Sequence, residues 1–441
     1  MAHVHSAFIR SVTDRVRERL DDEVADVFER CFENTLGTTL TPMPDGTLFM
    51  LTGDIPAMWL RDSTAQLAPY LHFAAEDAAI SDMIAAVSRR QIAFVLLDPY
   101  ANAFNPEPNG DGHREDITDG SPWVWERKYE VDSLCYPIQL AHDLWTLTGR
   151  TDHLDADFAE AARRVIALWR VEQDHEAASP YRFERFDCPP SDTLVRDGRG
   201  PETAPTGMTW SAFRPSDDAC AYGYNVPGNM FAAVELGHIA EIAENVLVDL
   251  DLARGARDLG GDIERGVAEH GLVVDPDHGE LYAYEVDGRG GVLLLDDANV
   301  PSLLSLPLFG WCGADDERYL ATRRFILSDA NPTFVRGILP RGDEARGLGS
   351  PHTPTGHIWP IGLCIEGLTT SDEDERRRIL RLLLDTDAGT GLMHESFLAT
   401  DPQTFTREWF SWANAMFCEF VLDLAGLRVP VRGAATEVRP S

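Results

Sequence analysis

The sequence predicts an all-α fold, a closed (α/α)6 toroid or six-hairpin barrel, with long loops gathered on one rim. Three observations predict it. Apolar residues recur at three- and four-residue steps through roughly a dozen segments. Short links join these segments in pairs, and long stretches rich in Gly, Pro and aromatics separate the pairs. No internal repeat period is visible, which excludes an open solenoid, and the β-branched strands of a TIM barrel are missing.

The first stripe, Phe8, Val12, Val16, Leu20, Val24, Val27, Phe28 and Cys31, reads as one long amphipathic helix. Further stripes cover 63–77, 80–97, 132–148, 154–176, 227–246, 248–270, 299–309, 316–328, 357–370, 372–387 and 408–426. Long loops are expected at 34–62, 98–131, 178–226, 271–298, 329–356 and 388–407. Structureless loops of this length are uncommon unless they are functional. Short β-hairpins fit inside some of them. Residues 272–288, "LVVDPDHGELYAYEVDG", alternate with period two on either side of Pro276, Asp277 and Gly279. No linker or charge block divides the chain, so one domain over 1–441 is expected.

Composition narrows the function. The chain has 441 residues, 44% of them hydrophobic, enough for a large core. Its formal net charge is −35, from 73 acidic against 38 basic residues. Phosphate backbones and anionic lipids repel such a surface, which argues against nucleic acid and membrane partners. A neutral sugar is indifferent to it. The seven cysteines are scattered without a C-x-x-C pair, as small core residues in a reducing compartment would be. The N-terminal stretch lacks a basic segment followed by an apolar run, and no run reaches the roughly 18 apolar residues of a membrane span. A cytoplasmic protein is expected. Phosphate-binding Gly loops and a G-x-S-x-G elbow are absent.

Residues suited to chemistry cluster in the long loops. In "GDIPAMWLRDS" (53–63), Asp54 precedes an apolar run that leads into Arg61 and Asp62. One reading makes Asp62 or Ser63 a helix cap with Arg61 as its ion-pair neighbour. The other makes Arg61 and Asp62 a grip for a vicinal diol beside the apolar wall of Trp59, since a guanidinium donates in a fork and a carboxylate accepts twice. In 209–230, Asp217 and Asp218 follow Arg214 inside an aromatic-rich loop. Adjacent acids in an apolar setting have their pKa values split, as a proton donor requires; a solvated turn is the alternative. In 391–417, Glu395 lies between His394 and Ser396, ahead of Trp409 and Trp412. In 350–363, His352, His357 and Trp359 stand at a loop-to-helix junction, with a His spacing unlike a metal-ligand signature. Residues 105–137 add Asn109, His113, Trp125, Arg127, Lys128, Tyr129 and Asp132. That mixture of polar groups and flat rings suits sugar recognition; a surface loop with one buried Trp is the alternative.

Taken together, "TGDIPAMWLRDSTAQL", "NPEPNGDGHREDITDGSPWVWERKYEVDSLCYP", "TWSAFRPSDDACAYGYNVPGNM", "GSPHTPTGHIWPIGL" and "HESF" with "FTREWFSWAN" resemble glycoside hydrolase family 125, the exo-α-1,6-mannosidases. The motifs stand in family order over about residues 40–425. Trp59 to Ser63 is also similar to an element with which glucoamylase-type enzymes hold the sugar in the −1 subsite. The resemblance implies an (α/α)6 fold and inverting hydrolysis of terminal α-1,6-linked mannose, without metal or cofactor. The substrate it implies is a mannose-containing oligosaccharide. It assigns the general acid to Asp217, with Asp218 as the alternative, and the general base to Glu395. The sequence departs from the family pattern at Ala212, where Gly is expected, and at Leu398, where His is expected. The rival readings are another (α/α)6 enzyme, a glycoside phosphorylase or sugar epimerase, and a non-catalytic glycan-binding protein.

Overall fold

A computed structural model describes residues 2–429, with side chains from Ser6 onward. Its helices form two concentric layers. The inner layer contains Leu60–Ala65 with Ala68–Leu71, then Val131–Thr148, Val226–Ile242, Pro360–Leu368 and Ser411–Leu424. These helices are buried over most of their length. Neighbours pack side by side, and Ser411–Leu424 returns against Leu60–Ala65 to close the ring. The outer layer contains Asp22–Thr38, Ala78–Leu97, Ala156–Glu172, Leu250–His270, Glu317–Ile326 and Glu373–Asp385. Helix Ala2–Arg17 packs on the first of these.

Local chemistry separates the layers. Every one of those six outer helices begins with an aspartate whose carboxylate accepts backbone N–H groups of the first turn: Asp21, Asp77, Asp155, Asp249, Asp316 and Asp372. Such a cap satisfies donors the helix cannot use itself. Three inner helices begin instead at Trp59, Trp359 and Phe410, with no side-chain cap. Their first turns open into the long loops, whose carbonyls take the place of side-chain caps (Asn102 for Leu60 N–H, Thr52 for Ser411 N–H), so aromatic rings gather at one end of the ring.

Among the described residues, six small sheets stiffen those loops. The hairpin expected at 272–288 forms from Leu272–Asp275 and Gly279–Tyr282. Two three-stranded sheets flank the helix entrances. One joins Met58–Trp59, Ala103–Phe104 and Val124–Glu126; the other joins His357–Ile358, Ser396–Leu398 and Asp401–Thr406.

Three helix expectations are corrected. The 8–31 stripe is two helices, broken at 18–21 because Asp21 caps a new helix through Val24 N–H. The 63–77 helix starts earlier, at Leu60, and breaks before Pro69. Residues 299–309 are turns. There Pro301 and Pro307 deny helix hydrogen bonds, and Asp296 instead accepts the N–H groups of Leu303 and Leu304. The segment and the residue before it still fill the sixth inner position, with Phe309 packed against Phe231 and Ala298 against Gly362.

Candidate active site

The loop rim encloses a cavity of about 240 Å³ at the entrance of the inner helices. Its aromatic side consists of Trp59, Trp359, Phe410 and Trp412, and its polar side includes Arg61, Asp62, Asp217, His352, Glu395 and Arg407. Thr52, Ile55, Pro215, Ser216 and Asn299 complete the lining.

The 53–63 segment enters through a close approach. Gly53 has φ +143° and pairs with Phe410 as an isolated bridge; a Cβ there would collide with the Trp409 carbonyl. Trp59 then ends a strand and is the first flanking residue of helix Leu60–Ala65. The cap reading is corrected here: Ser63 Oγ donates back to the Trp59 carbonyl at 2.7 Å, and Asp62 lies inside the first turn. Arg61 and Asp62 therefore line the cavity from the first turn and do not cap the helix.

Arg61 is 3% exposed and its principal partner is not Asp62. Its Nη1 donates to Glu130 at 2.7 Å and to Asp132 at 3.0 Å, and its Nη2 to Asp217 at 3.1 Å; Asp62 stands 3.7 Å from Nε. The guanidinium also lies over Trp412. Burial raises both Asp62 and Asp132 to about 6, against the pull of Arg61.

Adjacent Asp217 and Asp218 point in different directions. Asp217 has φ 66°, a left-handed conformation costly for a residue with a Cβ. The turn is locked by Asp217 N–H to the Arg214 carbonyl and Arg214 N–H to the Asp218 carbonyl, at 2.9 and 2.8 Å. It presents Asp217, 24% exposed, to the cavity. Asp218, 5% exposed, accepts from Ser216 Oγ at 3.0 Å and faces His352 Nδ1 at 3.7 Å. Burial opposes ionisation of Asp217, but Arg61, Lys128 and His352 outweigh it and hold the carboxyl below its usual range. Burial likewise works against the His352 imidazolium, yet Asp218, Asp217 and Glu395 raise it to about 9.

Glu395 immediately precedes strand Ser396–Leu398 and lies 3.8 Å from Arg407 Nη1. Arg407 itself has φ 47°, packs over Phe410 and donates to Asp54. His357 does not line the cavity; it hydrogen-bonds Ser396 Oγ at 3.0 Å, which meets Thr406 Oγ1 at 2.7 Å. That chain fixes the strand that Glu395 leads into. His394 stacks on Phe405 and contacts the Arg407 carbonyl.

Several expected contact residues lie outside the cavity lining, each for a visible reason. Lys128 is buried; it pairs with Asp192 and donates to the Asp217 carbonyl at 2.8 Å, supporting the turn. Asp132 is buried on Arg61. Tyr129 is buried among Tyr100, Tyr181 and Trp210, and its carbonyl holds the N–H groups of Ala212 and Phe213. Arg214 is taken by Glu285. Arg127 pairs with Asp98 at 2.7 Å and lies over Tyr100 and Tyr181. Asn109 is an exposed turn residue bonded to Asp111. His113, Trp125 and Arg127 line a separate cleft of about 80 Å³; Trp125 packs behind Ile55 and Trp59. Asp54 stands exposed near the rim on Arg407. Leu398 and Ala212, the departures from the family pattern, do not line the cavity.

Sequence reasoning missed Glu130, Asn299 and Phe410. Asn299 is held by Asp297, which Ser350 also reaches at 3.0 Å. The adjacent acids Asp296 and Asp297 in a loop were the available signal. Among the described residues, no helix is long and apolar enough to cross a membrane.

Two carboxylates from distant stretches, converging under aromatic rings at the loop rim of a double helical ring, define a carbohydrate-processing enzyme of the (α/α)6 class. A bacterial glucoamylase complexed with acarbose shares that fold, with a TM-score of 0.59 at 13% identity over 91% of this chain and 56% of that one. The chain belongs to glycoside hydrolase family 125, described as metal-independent alpha-mannosidase, which it matches over residues 21–422. It is 51% identical, with a TM-score of 0.93 over 97% of this chain and 99% of the other, to a Streptococcus pneumoniae metal-independent alpha-mannosidase captured in a non-productive complex with alpha-1,6-mannobiose. It is also 38% identical to the meiotically up-regulated gene 157 protein of Schizosaccharomyces pombe, over 95% of this chain and 86% of the relative.

Proposed function

We propose that this chain is an exo-acting, inverting α-1,6-mannosidase in which Asp217 is the general acid and Glu395 the general base. The observation that carries the assignment is the entry of these two carboxylates into one cavity, while Asp218 turns away from it. Glu395 accepts a proton from water, whose oxygen attacks the anomeric carbon. The bond from that carbon to the glycosidic oxygen breaks, its electron pair stays on the oxygen, and Asp217 supplies the proton. Inversion needs carboxyls about 6.5–9.5 Å apart to admit the water. A cavity of this size suits a single terminal sugar and its linkage. The α-1,6 preference rests on the Streptococcus pneumoniae relative and its ligand. We read the chain as one catalytic domain working in a reducing, cytoplasmic setting, in keeping with its seven unpaired cysteines.

The test is incubation with α-1,6-mannobiose while anomers are followed by NMR. The expected result is mannose appearing first as the β-anomer. Release first as the α-anomer overturns the inverting mechanism, and absence of mannose overturns the activity.

A further inference from the structure

Arg61 is surrounded by more negative charge than it can balance. Asp62, Glu130, Asp132 and Asp217 all stand within 3.7 Å of one guanidinium. Lys128, which also acts on Asp217, is already paired with Asp192 and lies 3.9 Å from Glu126, and Arg407 is taken by Asp54. Four ionised carboxyls around one buried cation carry a prohibitive desolvation and repulsion cost, so the cluster must retain protons.

Glu130 is where a proton is best kept. Its side chain is 0% exposed. Its Oε2 accepts from Arg61 at 2.7 Å and from Ser133 Oγ at 2.6 Å, whereas its Oε1 is buried without a partner. Glu130 and Asp217 sit side by side on one guanidinium, Glu130 Oε2 at 2.7 Å from Nη1 and Asp217 Oδ1 at 3.1 Å from Nη2. Two carboxyls gathered on one buried cation escape mutual repulsion when one of them keeps a proton. Burial moves Glu130 far above the usual carboxyl range, while Asp217 is held below it.

We propose that Glu130 and Asp217 share a single proton, and that Glu130 stores the proton Asp217 delivers to the glycosidic oxygen. The inference rests on Asp217 being the general acid. Glu130 acts through Asp217 and is a positioning and proton-storing residue, not one that touches substrate. In the step, the one shared proton moves from Glu130 to Asp217 and from Asp217 to the leaving oxygen, whose bond to the anomeric carbon breaks. Glu130 is left ionised beside Arg61. Meanwhile Glu395 has gained one proton from the attacking water. After the products leave, that proton returns through solvent to the Glu130–Asp217 pair, and both ends are restored. The groups that set the pair's titration are Arg61 and Asp62 from one helix, Asp132 and Ser133 from the helix after Glu130, Lys128 and His352 around Asp217, and Arg407, which acts on Asp62.

The experiment compares full-length wild type with Glu130→Gln on two substrates, α-1,6-mannobiose and 2,4-dinitrophenyl α-mannoside, whose leaving group needs no proton. On mannobiose, kcat/KM should fall by about 10²–10⁴-fold, the usual share of general acid catalysis. On the activated aryl mannoside it should change little. The alkaline limb of the mannobiose pH profile should move to lower pH, because Asp217 alone must hold the proton while Arg61 favours its ionised form. Equal losses on both substrates, or an unmoved alkaline limb, overturn the proposal. Asp217→Asn separates the two levels. If it keeps wild-type turnover of mannobiose, the assignment of the acid fails; if it loses that turnover while Glu130→Gln behaves as wild type, only the shared proton fails. Ser133→Ala keeps every carboxyl and covers the case in which Glu130→Gln does not fold. Losing a donor to Glu130 should move the alkaline limb to higher pH, and an unchanged limb overturns the proposal.

Discussion

The two ends of the cavity are built differently. Around Asp217, a fully buried arginine organises four carboxyls, and a buried lysine braces the turn from behind. Around Glu395, a partly exposed arginine stands 3.8 Å away, and a chain of hydroxyls and an imidazole fixes the strand. The first arrangement controls where a proton resides; the second controls where an oxygen points. An inverting glycosidase needs both, because its acid must hold a proton that its base must lack.

The contrast can be broken most strongly at its two arginines. Arg61→Met leaves a buried carboxyl cluster without its cation and should lower unfolding free energy by about 3–5 kcal/mol in urea denaturation. Arg407→Met removes a partner of the exposed Asp54 and should cost about 0–1 kcal/mol. Equal costs would show that the two ends are not differently buried.

A smaller effect sharpens the comparison at His352, which faces both ends. Its folded-state pKa, raised to about 9, exceeds the roughly 6.5 of an unfolded histidine. Its contribution to stability is therefore complete below about pH 6.5 and is lost as pH rises through about 9. Denaturation of wild type across that window should show a decline that His352→Gln lacks. A parallel decline in both proteins contradicts the placement of that charge.

Much of this was legible in the sequence. Helical stripes revealed both layers, and charged residues inside aromatic loops marked Arg61, Asp62, Asp217 and Glu395. The breaks were harder. A stripe such as 8–31 continues across a link when the next helix happens to resume in phase, although Asp21 was readable as a cap. The turns at 299–309 depend on Asp296 accepting two N–H groups, a contact that periodicity does not encode. Within the site, sequence shows residue types and not directions. Asp217 and Asp218 are neighbours in the chain, yet the φ of 66° at Asp217 sends one into the cavity and the other toward Ser216. Arg127, Lys128, Tyr129 and Asp132 carry sugar-binding chemistry on paper, but Asp98, Asp192, the tyrosine cluster and Arg61 had already engaged them. Glu130 was overlooked because a glutamate before a helix is ordinary until its complete burial is seen.

The division of labour between the two ends is tested most directly by leaving-group dependence. Asp217→Asn and Glu395→Gln are each assayed on α-1,6-mannobiose and on 2,4-dinitrophenyl α-mannoside. Asp217→Asn should lose about 10²–10⁴-fold on mannobiose and keep most of its activity on the activated substrate, whereas Glu395→Gln should lose both. Equal sensitivity of the two variants to the leaving group, or wild-type mannobiose turnover by Asp217→Asn, would contradict it.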